Sequence, residues 1–324
     1  MRAVALIVLV GLVLAELTMR AAAAHLPKPL EWPDWETANK VAAIDSLAAR
    51  GGASVVVLGS SIMNAGVDPA LMSRELGDQR PVFNAALNGS NVPSTRLWAL
   101  NVVVPRLRPK VVVIGIDGIE LNGSGKGERR FFNLIRGSAG WRKAVGGAST
   151  YESIADHASD WSYLIRYRSV IRKPTSWFSV DTAPLDQRVD VYGTLHPRKR
   201  PRVEGAVRKH KFQTFDKDNF SSPVGRNRLA LLSDLVERLN TRGIKVVLVR
   251  MPTVDEIDVP RDGPGTYAKI ETTMKTFVGR HGLYYVDMRD EFTDVSLYSD
   301  VHHVNVRGRE KLSALLVPFL RSIR

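Results

Sequence analysis

The chain contains no cysteine. Disulfides, thiolate metal sites and cysteine nucleophiles are therefore excluded, although the compartment is not settled by this absence alone. Acidic residues are the second shortage: 33 Asp and Glu stand against 46 Lys and Arg, a formal charge of +13 with a pI near 10.1. Such a balance attracts polyanions, whether anionic lipid headgroups, acidic envelope polymer or nucleic acid; the alternative is a basic surface kept for solubility. Nucleic acid is disfavoured as a partner. The densest basic tract, His196 to Arg202 and then Arg208 to Lys211, has no interleaved aromatics and matches no nucleic-acid module. It reads either as a solvated loop or as a contact for acidic polymer or headgroups. No internal repeat is present.

Uninterrupted apolar sequence is scarce too, and the longest run lies at the N-terminus. Met1-Arg2 is a short positive leader, Ala3 to Ala15 is apolar for 13 residues, and Ala21 to Ala24 is a small-residue cluster. This is the layout of a signal peptide with a cleavage site after the alanines. Thirteen residues fall short of the roughly 20 that a span needs, but with Glu16 and Arg20 in the interface the segment can remain as an uncleaved anchor. Residues 1–24 are read as signal peptide or anchor, and 25–324 as one extracytoplasmic domain with an insertion at about 123–222.

Within that domain, apolar β-branched runs without polar alternation recur at Val55–Leu58, Pro81–Ala86, Lys110–Gly115, Lys245–Pro252 and Leu283–Met288. Strands of that kind are buried on both faces. Helical periodicity separates them, at Glu36–Arg50, from Asp68-Pro69 onward, at Ser94–Val104 closing near Pro105, from Arg226 to Gly243, at Tyr267–Phe277 and at Val306–Leu320. The insertion contains helical stretches at Arg129–Val145 and Tyr151–Ile171, a lid or cap over the site or simply extra packing. The alternation predicts an α/β fold: a three-layer, doubly wound sheet of about five parallel strands with helices on both faces.

In such sheets ligands bind beyond the carboxyl ends of the strands. The first strand ends at Gly59 and is followed by Ser60 and Ser61, which either cap the next helix or present a nucleophile. Near the other end of the chain, Asp300 precedes His303 by three residues. A serine hydroxyl needs a base, and the base works best when a carboxylate fixes its tautomer. His302 is the weaker candidate for base, because only His303 has this spacing. Asp300, His302 and His303 could also take a metal, but no further ligand cluster accompanies them, and no cofactor is called for.

Together, Gly59-Ser60-Ser61, the Gly of Asn88-Gly89, a Gly-containing turn after the third strand, and Asp300-x-x-His303 with Asn305 two residues on resemble the SGNH/GDSL hydrolase superfamily. The Gly-Ser-Ser variant resembles its exported or membrane-anchored cell-envelope esterase and acyltransferase branches. The resemblance runs from about Val55 to Leu316 with a poorly matched middle. It implies Ser61 as nucleophile, His303 as base, Asp300 as its orienter, and the backbone amides of Ser61 and Gly89 as oxyanion donors. The pattern is broken at the third turn, where an oxyanion-donating Asn is usual and this chain has Asp117. A carboxylate donates only when protonated. Asn122 takes the role if the loop folds back. The expected function is an exported serine esterase acting on O-acyl groups of an envelope glycan. An O-acyltransferase using the same acyl-serine is the first alternative, and a non-catalytic glycan-binding protein, favoured by Asp117, the second.

Overall fold

The computed structural model describes residues 2–116, 118–121, 135–147, 150–172, 188–195, 226–252, 266–300 and 302–323. The five expected strands are β1 (Val55–Leu58), β2 (Val82–Asn84), β3 (Val111–Ile116), β4 (Lys245–Arg250) and β5 (Tyr284–Asp287). They form one all-parallel sheet in the order β2-β1-β3-β4-β5. In β1 to β4 alternate side chains enter two separate cores, which is why those strands carry no polar alternation; β5, at the sheet edge, is exposed to half-buried rather than buried on both faces. Val56, Leu58, Phe83, Val112, Ile114 and Leu248 enter one, and Val55, Val57, Val82, Val113, Val247 and Val249 the other.

The helices are α1 (Arg2–Ala22), α2 (Trp35–Ala49), α3 (Ser61–Gly66), α4 (Pro69–Leu76), α5 (Val92–Trp98), α6 (Val104–Leu107), α7 (Gly118–Leu121), α8 (Ala139–Val145), α9 (Thr150–Trp161), α10 (Tyr163–Arg166), α11 (Arg168–Ile171), α12 (Arg226–Asn240), α13 (Thr266–His281) and α14 (Val306–Ser322). Apolar residues of α2, α5, α12 and α13 cover the first core, and those of α3, α4 and α14 the second. The fold is therefore three layers, helix–sheet–helix.

Three expectations change in detail. The helix over Ser94–Val104 does not close at Pro105: a π-helical turn, Ala99–Val103, bridges α5 to α6. Widening the ladder there accommodates a residue that has no N–H to give. The stretch Tyr151–Ile171 is three helices, because Ser162 is extended and its hydroxyl accepts from Ile165 N, starting a new helix. The N-terminal helix is 21 residues long rather than the 13 of its apolar run, with mean hydropathy 2.1 across its best window and none of it buried. At 1.5 Å per residue it extends about 30 Å, the thickness of a bilayer's hydrocarbon core. The expected helix from Arg129 is described only from α8 onward.

Candidate active site

Strand β1 runs straight into α3 through Gly59 and Ser60. Gly59 has φ +144°, and a Cβ there would lie 2.9 Å from Met63 Cβ and 3.1 Å from the Gly115 carbonyl of β3. Only glycine makes this turn without strain. The two readings of the serine pair divide between the residues. Ser60 is the N-cap, its hydroxyl accepting from Ile62 N, and Ser61, the first helical residue, points its hydroxyl elsewhere.

That hydroxyl meets His303. Ser61 Oγ lies 2.8 Å from His303 Nε2, and His303 Nδ1 lies 2.9 and 3.0 Å from the two oxygens of Asp300. A tight hairpin holds the pair. Tyr298 and Val304 form an antiparallel bridge, Ser299 N donates to the His303 carbonyl at 2.8 Å, and Asp300 Oδ1 accepts from the backbone N–H groups of His302 and His303 at 3.1 and 2.8 Å. Helix α14 then ties the hairpin to the nucleophile helix. Arg309 Nε donates to the Ala65 carbonyl at 2.7 Å, and Ser313 Oγ accepts from Asp68 N at 2.7 Å. Asn305 is the N-cap of α14, accepting from Gly308 N at 3.2 Å and donating to the Ser296 carbonyl at 2.6 Å.

Electrostatics fixes the proton positions. Burial would raise the Asp300 carboxyl, but the His303 hydrogen bond, the charge of both imidazoles and the His302 backbone bond outweigh it and hold it well below the carboxylate range. Beside an ionised Asp300, the tautomer of His303 that donates from Nδ1 leaves Nε2 to accept from Ser61 Oγ–H. His302, tilted against His303 with ring centroids 4.0 Å apart, is pushed down to about 3, chiefly by burial and then by the charge of His303. It is neutral at ordinary pH. Ligand atoms of Asp300, His302 and His303 lie within 4.8 Å of one another, but a cation there would compete with the Asp300–His303 hydrogen bonds.

Gly89 lies in the turn after β2, the strand beside β1. Ser90 N donates to the Leu87 carbonyl at 3.1 Å and Gly89 has φ +72°, the third-position conformation of a type II turn. The turn's own hydrogen bond comes from Ser90, so the Gly89 N–H is not consumed by it. Leu87 N donates to the Gly59 carbonyl at 3.1 Å, tying the turn to the nucleophile strand. Asp117, Asn122 and the basic tract 196–211 lie outside the described residues.

One group of site residues escaped the sequence reading. Beneath the Asn88-Gly89 turn, Glu36 and Lys40 of α2 are buried among Asn64, Asn84 and Asn88. The available signal was phase: Glu36 and Lys40 are four apart and in register with Ile44 and Leu47, which puts a Glu–Lys pair on the helix's core face rather than on a solvated one.

No family model and no curated protein matches the chain. Among solved structures, a psychrotrophic esterase from Pseudoalteromonas sp. is similar at 10% identity and TM-score 0.43, covering 83% of this chain and 96% of that one. A GDSL-like lipase from Bacteroides thetaiotaomicron is similar at 12% and 0.41, covering 83% and 88%. A catalytic mutant of an acetylxylan esterase from Geobacillus stearothermophilus is similar at 12% and 0.40, covering 82% and 94%. The chemistry of the site is read from the Ser61–His303–Asp300 geometry.

Proposed function

We propose that the chain is an exported, membrane-anchored serine esterase that removes O-acyl groups from a cell-envelope glycan or a related ester. The observation that carries this reading is the 2.8 Å contact of Ser61 Oγ with a His303 Nε2 whose other nitrogen is bonded to Asp300. Ser61 Oγ attacks the ester carbonyl carbon while its proton passes to His303 Nε2. The amides of Ser61 and Gly89 hold the developing oxyanion, with Asn122, or Asp117 if protonated, as the third position; each effective donor lowers the barrier by about 3 kcal/mol. The carbon–oxygen bond then breaks as His303 returns the proton to the leaving alcohol. Water attacks the acyl-serine, giving its proton to His303, which passes it to Ser61 Oγ as the carbon–Oγ bond breaks and the acid departs. A sugar hydroxyl replacing water in that last step makes the same site an O-acyltransferase. Release of acetate from an aryl acetate tests the reading, together with labelling by a fluorophosphonate. Equal turnover by wild type and Ser61→Ala, or failure of Ser61 to label, overturns it.

Retention of α1 as an anchor is supported by what its C-terminal half touches. The Glu16 carboxylate accepts from Ser162 Oγ at 2.8 Å, Tyr163 N at 2.9 Å and Leu164 N at 3.1 Å, satisfying open amides at the start of α10. Arg20 Nη2 donates to the Trp161 carbonyl at 2.6 Å, and its guanidinium sits 5.0 Å from the Tyr163 ring centroid. Cleavage after the alanines would discard these partners. Trp161 is 80% exposed beside them, an aromatic and basic collar of the kind found where a span leaves the bilayer. The anionic headgroups there, or acidic envelope polymer, are partners consistent with the net positive charge.

A further inference from the structure

We infer that Glu36 and Lys40 are positioning residues that set the Asn88-Gly89 turn against the Ser61 helix and so hold the oxyanion site in register; the inference rests on the esterase reading above. Lys40 has no solvent exposure. Its ammonium donates to Asn64 Oδ1 at 2.8 Å, to the Asn84 carbonyl at 3.0 Å and to the Ala86 carbonyl at 2.6 Å, using all three of its protons. One helical turn earlier, Glu36 Oε1 accepts from Asn64 Nδ2 at 2.7 Å and from the Asn88 backbone N–H at 3.1 Å.

Asn64 joins the two halves. It sits three residues after Ser61, and its second amide proton goes to Asn88 Oδ1 at 3.1 Å. Its backbone carbonyl accepts from Asn84 Nδ2 at 3.1 Å, while Asn84 Oδ1 accepts from Ala86 N at 3.1 Å. The nucleophile helix, the end of β2 and the turn bearing Gly89 are therefore bonded to the same two side chains of α2. Burying a carboxyl and an ammonium side by side in this way adds little net stability compared with apolar packing. Its hydrogen bonds are directional, however, and a satisfied buried network specifies one arrangement. Displacement of an oxyanion donor by less than an ångström is felt in kcat, and Gly89 has no side chain of its own with which to hold its place.

The test uses the full chain in detergent and three variants: Glu36→Ala, Glu36→Gln and Ser61→Ala. Glu36→Ala removes the acceptor for the Asn88 amide and is expected to lower kcat on an aryl acetate about ten- to a hundredfold with KM within about threefold. Amide hydrogen exchange at Asn88, whose N–H donates to Glu36, is expected to rise about tenfold or more. Glu36→Gln keeps a carbonyl oxygen for both donors and is expected to restore most of kcat and the slow exchange. Wild-type kcat and exchange in Glu36→Ala, or equal losses in the Ala and Gln variants, overturn the inference. If Glu36→Ala does not fold, Asn64→Ala severs the same link from the other side; the same split of kcat from KM is expected, and unchanged kcat overturns. Wild-type turnover in Ser61→Ala brings down the esterase reading with it, whereas an inactive Ser61→Ala beside an unaffected Glu36→Ala brings down the positioning role alone.

Discussion

Ser61 is supported from two sides, and the sides are built differently. On one, Asp300 and His303 belong to a hairpin whose contacts span only a few residues, from the Tyr298–Val304 bridge to the backbone bonds onto Asp300. On the other, Glu36 and Lys40 reach Asn64, Asn84, Ala86 and Asn88 across separations of 24 to 52 residues. The local side places an imidazole between a hydroxyl and a carboxylate, and in the esterase reading proposed above it supplies the base. The long-range side supplies no proton and no charge to the reacting atoms; it supplies position. Perturbing the first should therefore destroy the chemistry, and perturbing the second should degrade its geometry.

The largest effect tests the local side. Ser61→Ala and His303→Ala are each expected to lower kcat on an aryl acetate by about 10⁴-fold or more, with the fold unchanged by circular dichroism. Asp300→Asn is expected to cost about 10³- to 10⁴-fold, because an amide can present its N–H to Nδ1 and leave the proton on Nε2, where it cannot accept from Ser61. A smaller loss in Asp300→Asn than in Glu36→Ala would reverse the ranking of the two sides.

How far each side could be read from sequence follows the same division. Gly59-Ser60-Ser61 and Asp300-x-x-His303 are short motifs, and the strand that leads into the first is an apolar run whose two-sided burial is visible without a structure. The sheet order places β1 between β2 and β3, so the turn bearing Gly89 follows the strand beside the one that leads to Ser61. Glu36 and Lys40 were hidden because a Glu–Lys pair four apart is ordinarily a solvated one. Their meaning lies in Asn64 and Asn84, each unremarkable where it stands in the chain. Pro105 misled for a related reason: its local rule ends a helix, but Val102, Val103, Val104 and Leu107 are buried, and packing carries the helix past it through a π-helical turn. The serine pair was open from sequence alone, since capping and nucleophilic attack ask for the same hydroxyl; their partners separate them, Ile62 N for Ser60 and His303 for Ser61.

A second prediction uses His302 to probe how dry the local side is. Its imidazole is held down to about 3, below the ordinary histidine value near 6.5, so the folded state binds fewer protons than the unfolded one between those values. Its contribution is present in full above pH ~6.5 and is lost as pH falls toward ~3. Asp300, also depressed, acts in the same sense but only below its unfolded value of about 3.9. Glu16 and Glu36 are shifted as well, so His302 is isolated by the difference between wild type and His302→Asn in their stability change from pH 7 to 4.5. Wild type is expected to lose on the order of 2–3 kcal/mol more than His302→Asn over that interval. Parallel pH profiles would mean that water reaches the hairpin.

The smallest effect separates holding the hairpin from holding the turn. Asn305 caps α14 and pins the Ser296 and Tyr298 carbonyls at 2.6 and 3.3 Å, so Asn305→Ala should cost about 1–2 kcal/mol of stability. Its effect on kcat is expected to stay within about threefold, because the Ser299–His303 backbone bond and the Asp300 bonds still fix the imidazole. Glu36 has no such local substitute, since the Gly89 turn's own single hydrogen bond does not set its height above α3. Chemical denaturation and steady-state kinetics on both variants decide the matter. If Asn305→Ala lowers kcat as much as Glu36→Ala, the hairpin is no more self-supporting than the turn, and the distinction between a local chemical side and a long-range positional side does not hold for this site.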